Sequence, residues 1–317
     1  MAIRKTDRVT LNGSSSGYGG LITDASYSVG FGTQLTQLTL TFVSESGSYT
    51  ITENSLNVFD TEAAWRLAHS IADNPTVAVI KHANPCGLAC HSDIAEAYRR
   101  AHACDPISAF GGIVAVNRNV PLDLAEELTQ VFTEVIIAPS FDDDAIEKLM
   151  EKKNLRIIEA SSPGFPLLDF RTIDGGLLVQ TTDKVIIDRE TWTVATERKP
   201  TESEWVDLEF AWQVAARVSS NCIVLAKDEQ AFGIGAGQQN RRDAGQIAAT
   251  KANGRASGGA CASDAFFPFR DGLDAAIEAG CSTVIQPGGS IRDEEVIAAA
   301  NESDIAMVFT GERHFKH

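Results

Sequence analysis

No window of this sequence approaches the ~18 consecutive apolar residues that a membrane span requires. The opening MAIRKTDRVT has no apolar stretch behind its positive charges, so a secretory signal is not expected either. Cysteine is sparse. Its six positions (Cys86, Cys90, Cys104, Cys222, Cys261 and Cys281) are spread too thinly for a disulfide scaffold, which points to reduced thiols and a cytoplasmic setting. Basic residues are outnumbered, with 27 Lys and Arg against 43 Asp and Glu and a net charge of −16. A nucleic-acid surface needs a basic stripe to displace phosphate counterions, so that class of partner is excluded. An anionic ligand must therefore be met by a local cluster of Arg and Lys that overcomes the global field. A repeat of fixed period is missing as well, which excludes a solenoid.

What is present suffices for a core: 317 residues, 44% hydrophobic and 22% charged, a length that suits two domains or subdomains. Residues 1–54 are rich in Gly, Ser and Thr, and QLTQLTLTFVSESGSYTIT alternates Leu or Val with Thr around an ESGS turn, the pattern of a β-hairpin. From about Ser55 the texture changes. DTEAAWRLAHSIAD has helical spacing with Asp60 or Thr61 as N-cap. There follow a strand (Thr76 to Ile80), a loop, a helix (about Asp93 to Ala103), a strand (Gly112 to Val116), a helix from Leu122, the strand EVIIAPS and the helix DDAIEKLMEKK. After a polar, Thr-rich stretch around residues 181–203, a helix from about Glu202 to Val218 opens a second run. It comprises CIVLAK, AFGIGAG, a helix after Asn240, DAAIEAG, STVIQ, DEEVIAAAN and IAMVF. Such alternation is the signature of an α/β sheet. The expected fold is α/β, with two lobes after a β-rich N-terminal segment.

Five stretches could carry chemistry. In VAVIKHANPCGLACHSD an apolar strand ends at Lys81-His82, and ligands of open α/β sheets collect at the carboxyl ends of strands. An imidazole accepts a proton readily at neutral pH, and an adjacent ammonium favours its basic form. The alternative is a plain turn, with Asn84-Pro85 and Gly87 bending the chain. Zinc is not expected here: three residues separate the cysteines, and neither a C-x2-C pair nor an H-x-E with P-C-x-x-C is present. FGIGAGQQNRRDAGQ lacks the third glycine of a dinucleotide fingerprint, so its glycines are read as sites of close backbone approach. Its Arg241-Arg242 pair is either an anion clamp or two solvated arginines. SDAFFPFRDG packs three phenylalanines that serve as core or as a wall for a flat heterocycle. QPGGSIRDEE sets a glycine turn before a helix, where free N–H groups favour an anion. The terminal RHFKH is either a frayed end or part of a site.

Read in order, IKHANPCG, DPISAFGG, EVIIAP, SNCIVLAK, GIGAGQQNR, SDAFFPFRDG, QPGGSIRDEEVI and FTGERHFKH resemble the AICAR transformylase domain of the bifunctional purine biosynthesis proteins, from about Ser55 to His317. The resemblance implies formyl transfer from 10-formyltetrahydrofolate, a co-substrate, to the 5-amino group of AICAR, giving FAICAR on the route to IMP. It implies two three-layer lobes similar to cytidine deaminase without that fold's zinc, and a homodimer with active sites at the interface. By matching position, Lys81 and His82 would be the catalytic pair and Asn221 would hold the substrate. Phe110, Gly111, Glu134, Arg241, Phe266 and Arg313 would line the AICAR site, and Arg242, Asp271, Gly288 and Gly289 the folate side across the dimer.

The division this implies is 1–54, a head not matching the family; 55–200, a first lobe; and 201–317, a second. The cyclohydrolase domain that precedes this one in the family is not expected in the chain. The family also opens its transformylase domain with an Arg-Tyr-Gly stretch that contacts the AICAR nucleotide, and residues 1–54 hold nothing like it. Loss of one charge-assisted phosphate contact implies ~10- to 100-fold weaker AICAR binding. Arg4, Lys5 and Arg8 are the basic residues of the head available as substitutes. A second reading, from another functional class, is a non-catalytic transformylase remnant serving as a ligand-binding or structural module on a β-rich head. Intact Lys81, His82 and Asn221 point to the enzyme, and the missing Arg-Tyr to the remnant.

Overall fold

A computed structural model describes residues 9–11, 21–28, 37–44, 47–71, 74–164 and 166–317, with side chains from residue 58 onward. Arg4, Lys5 and Arg8 lie outside the described residues, as do Glu45 and Ser46 of the expected ESGS turn. The elements begin with β1 (Val9–Leu11), β2 (Leu21–Ser28), β3 (Gln37–Ser44), β4 (Gly47–Asn54), α1 (Ser55–Ala68), β5 (Thr76–Lys81), β6 (Asn84–Cys90), α2 (Ile94–Cys104), α3 (Pro106–Ala109), β7 (Gly112–Val116), α4 (Leu122–Leu128), β8 (Thr133–Ala138), α5 (Asp143–Met150) and β9 (Arg156–Ala160). They continue with β10 (Leu168–Ile173), β11 (Gly176–Thr181), β12 (Thr193–Val194), α6 (Glu202–Ala215), β13 (Ile223–Lys227), β14 (Gln230–Gly235), α7 (Arg241–Ala252), β15 (Ala260–Ser263), α8 (Asp271–Glu278), β16 (Thr283–Gln286), α9 (Asp293–Glu302) and β17 (Ala306–Phe309). The expected α/β alternation runs from α1 to β9 and again from α6 to β17. In the head, β3 pairs antiparallel with β4, Ser44 opposite Gly47, as the Leu/Thr alternation requires.

The chain forms two compact units, one running to Ser161 and including Glu229–Ile234, the other made of Ser162–Asp228 and Gly235–His317. In the first, β7, β8 and β9 run parallel, β5 is antiparallel to β7, β6 to β5, and β14 to β6. The strands are buried on both faces. Val77, Val79, Val114, Val116, Ile136 and Ala138 join one cluster with Ala97, Tyr98 and Ala101 of α2, Leu124 and Leu128 of α4 and Leu149 of α5. The alternate residues Ala78, Ile80, Ile113, Ala115, Val135 and Ile137 are equally buried. By strand periodicity they face the other way, where α1 packs on β5 and β7 through its buried Ala64, Leu67 and Ala68. The result is three layers. In the second unit β15, β16 and β17 are parallel, flanked by antiparallel β13 and β12, and α6 crosses β13, β15 and β16 with Leu208, Phe210 and Trp212 buried.

Three sequence expectations need correction. Helix α1 starts at Ser55, so Asp60 and Thr61 lie inside it rather than capping it. The stretch expected as a loop after Ile80 is the return strand β6, because Lys81 pairs with Asn84 and only His82 and Ala83 connect the strands. Strand β15, ACAS, went unseen because small residues replace the β-branched ones that mark a strand.

Candidate active site

In the first unit, β5 and β6 are joined by His82 and Ala83, with φ of 53° and 57°. Positive φ at both central residues is what a two-residue hairpin of right-handed twist demands, and Asn-Gly is its usual solution. Here neither residue is Gly, Asn or Asp, and left-handed geometry costs ~1–2 kcal/mol per such residue. The turn is therefore not the Asn84-Pro85-Gly87 bend read from composition; those residues are on β6. Gly87 has another purpose. A Cβ there would lie 1.8 Å from the Ala101 carbonyl oxygen, so the glycine lets α2 lie directly on the strand.

The half-buried Lys81 donates through Nζ to the Phe110 carbonyl. Gly111, at φ 69°, donates its N–H to the Phe132 carbonyl at 2.8 Å, and Nζ passes beside it, 3.6 Å from the ideal Cβ position. The Phe110 ring, 61% exposed, stands 5.3 Å from that of Phe132. Lys81, Phe110 and Gly111 thus share one ledge beside the exposed His82. The Glu134 carboxylate is paired with Arg156 Nη1 at 2.8 Å. Cys86 and Cys90 are buried on β6, and burial pushes the Cys90 thiol up to about 12. That thiol contacts Thr76 Oγ1 at 3.3 Å, and no group of three or more His, Cys, Asp or Glu among the described residues is arranged to hold a metal ion.

In the second unit, Asn221 is fixed by Gln238, whose carbonyl accepts from Asn221 N at 3.1 Å and Nδ2 at 2.8 Å. Arg241 opens α7, with Asn240 as N-cap, and donates from Nη2 to Asp264 at 3.2 Å and from Nε to Ser263 Oγ at 3.3 Å. Asp264 is fully buried and also accepts from the Ser220 hydroxyl and from Cys222 N at 3.2 Å, while its own carbonyl accepts from His314 N at 3.1 Å. The Asp264 carboxylate therefore ties Arg241 to the segment around Asn221, while its backbone carbonyl holds the chain's last residues. The sequence reading treated Asp264 only as the edge of a motif.

The terminal RHFKH is docked. His314 is buried with Nδ1 2.7 Å from Asp183, and Lys316 Nζ donates to the Arg217 carbonyl at 2.9 Å. Arg313 stays exposed, its guanidinium 5.5 Å from the Phe315 ring centre. Arg242 and Asp271 are exposed at the starts of α7 and α8. Of the phenylalanines, Phe267 is core, Phe266 is half-buried, and Phe269 is half exposed with Arg292 over its ring at 4.8 Å. Gly288 and Gly289 take φ of 71° and 91°. The anion-favouring turn expected there is partly closed from within, since Gly289 N donates to Asp293 at 2.7 Å. Gly235 of the GIGAG run is a close-approach glycine, where a Cβ would fall 1.9 Å from the Ala244 carbonyl oxygen.

The helix-covered, mixed strands of both units define an α/β protein; the first unit holds a Lys-His pair at the end of a buried strand, and the second an arginine anchored on a buried aspartate. A family model described as AICARFT/IMPCHase bienzyme matches residues 48–251, and the chain belongs to that family. It is 52% identical over 276 residues to the bifunctional purine biosynthesis protein PurH of Rhizobium meliloti (strain 1021), covering 82% of this chain and 52% of that protein. To the PurH of Magnetococcus marinus (strain ATCC BAA-1437 / JCM 17883 / MC-1) it is 50% identical over 276 residues, covering 82% of this chain and 52% of that one. To that of Bacillus cereus (strain AH187) it is 49% identical over 265 residues, covering 82% and 51%. The chain spans about half the length of the curated relatives it matches.

Proposed function

We propose that this chain transfers the formyl group of 10-formyltetrahydrofolate to the 5-amino group of AICAR, giving FAICAR in purine biosynthesis. The observation that carries the proposal is Lys81-His82 at the end of a buried strand, inside the segment that matches the family. An aromatic amine conjugated to a carboxamide is a poor nucleophile, so its attack needs a base and close positioning. In the proposed step the amine nitrogen attacks the formyl carbon, His82 takes the amine proton, and the bond from that carbon to folate N10 breaks as N10 regains a proton. Lys81, tethered over Gly111, supplies positive charge to the carbonyl oxygen as it becomes anionic. Asn221 holds the substrate amide region. Phe110, Gly111, Glu134, Phe266 and the cations Arg241 and Arg313 serve AICAR, while Arg242, Asp271, Gly288 and Gly289 serve folate from a second copy of the chain. No metal takes part in this scheme.

The homodimer is supported by the hairpin β10–β11, whose Phe170, Ile173, Leu177, Leu178 and Val179 are all exposed. A two-stranded hairpin with apolar side chains on both faces is marginal in water and calls for a covering surface. A cytoplasmic setting fits the six free, buried cysteines, and among the described residues no helix is long and apolar enough to cross a membrane. The intact Lys81, His82 and Asn221 and the family match favour the enzyme over the remnant reading. AICAR-dependent conversion of 10-formyltetrahydrofolate by the purified chain tests the proposal. His82→Ala and Lys81→Ala should each lower turnover ~100- to 10,000-fold with the fold intact, and near-normal turnover in both would sink the chemistry.

A further inference from the structure

We infer that Asp60 is a positioning residue for the proposed transfer: its buried carboxylate holds the His82–Ala83 turn in the left-handed geometry that presents the imidazole. The catalytic consequence rests on the functional reading above; the clamp itself does not. Both turn residues have positive φ, 53° and 57°, although neither is glycine, so the conformation must be imposed by what surrounds it. Asp60, 8% exposed, places Oδ2 at 3.0 Å from His82 N. An ionised carboxylate receiving a backbone N–H away from bulk water makes one of the stronger hydrogen bonds a chain can offer. It comes from a rigid element: α1 is anchored by the buried Ala64, Leu67 and Ala68, and by Trp65 Nε1, which donates to the Ser161 carbonyl at 3.1 Å. The neighbours of His82 are tethered too, Lys81 to Phe110 and Asn84 Nδ2 to the His82 carbonyl at 3.3 Å. The Asp60 contact grips the amide of His82 itself.

The test compares wild type, D60A, D60N, A83G and D60A/A83G by amide hydrogen exchange at His82 and by steady-state kinetics. In D60A the His82 amide should exchange faster, and kcat should fall ~10- to 100-fold from misplacement of the base, while KM for both substrates stays within a few-fold. D60N keeps an acceptor oxygen and should retain most turnover. Because glycine takes positive φ without steric penalty, A83G should recover part of the loss in the D60A background. Unchanged exchange at His82 in D60A, or a kcat loss that A83G does not recover, overturns the inference. Should D60A fail to fold, D60N decides by hydrogen exchange: a neutral amide oxygen is the weaker acceptor, so faster exchange at the His82 amide than in wild type supports the clamp, and unchanged exchange overturns it. Faster exchange in D60A together with an inactive wild type would reject the functional reading and leave the clamp standing.

Discussion

Glu204 shows how one side chain can hold several segments. It lies in the first turn of α6, accepts Thr201 N at 2.8 Å as half of a capping box, and receives Ser282 Oγ at 2.7 Å and the Arg198 guanidinium. Burial alone would raise its pKa, but the donors from Arg198, Thr201 and Ser282 outweigh it and bring the carboxyl from 4.5 down to about 2. A carboxyl depressed by folding adds stability above its unfolded pKa, and that stability is lost as pH falls through the folded value. The contribution should therefore be full above pH 4.5 and gone near pH 2. Its size is on the order of 3 kcal/mol from the shift at 1.36 kcal/mol per unit. Glu204→Gln should lower the urea midpoint most at neutral pH, and its gap from wild type should narrow through the acid range. A gap independent of pH would refute this account.

At the scale of elements, helix–strand contact depends on missing side chains. Gly87 on β6 lies against the Ala101 carbonyl of α2, and Gly235 of β14 against that of Ala244 in α7. A methyl at Gly87 meets backbone rather than a movable side-chain tip, so relief requires the helix to shift. Gly87→Ala should destabilise by ~1–3 kcal/mol or more, and its thermal midpoint should drop well beyond that of a surface control such as Gly164→Ala, where a Cβ meets nothing within 4 Å. Equal midpoints for the two would show that α2 is not held in place by the glycine. Because α2 packs on β5 and β6, such a shift would also reach the hairpin that carries His82.

The whole molecule raises the question of assembly. If β10–β11 is the arm that seals a dimer, and Asp271 serves the partner's site, two inactive variants should complement each other. Mixing His82→Ala with Asp271→Ala should restore part of the turnover through hybrid dimers. Adding Phe170→Glu and Leu178→Glu to both should abolish the rescue and yield monomers in sedimentation. A wild-type chain that sediments as a fully active monomer would end the proposal. We propose that residues 1–54, 55–200 and 201–317 are the head and the two lobes of the chain.

Much was legible locally because it depends on neighbours in sequence. Strands β5, β7, β8, β13, β16 and β17 are runs of branched apolar residues, and Asp93, Thr201 and Asn240 are caps whose side chains bond within their own first turns. The ordered motifs pointed to the family, and Lys81-His82 stood out at a strand end. The rest was decided by contacts that no local pattern contains. Asp60 has the composition of a helix cap, yet its partner is the amide of His82, 22 residues away. Asp264 sits at the edge of a phenylalanine cluster, yet it bonds Cys222 N, 42 positions distant, and draws in Arg241 and the terminal segment. Gly289 invites an anion until Asp293 folds back on it. A buried polar group must find a partner wherever the chain brings one, so the sequence determined most of the elements and the family they belong to, while only tertiary packing decided that Asp60 meets the amide of His82 in the first unit and that Asp264 meets Arg241 in the second.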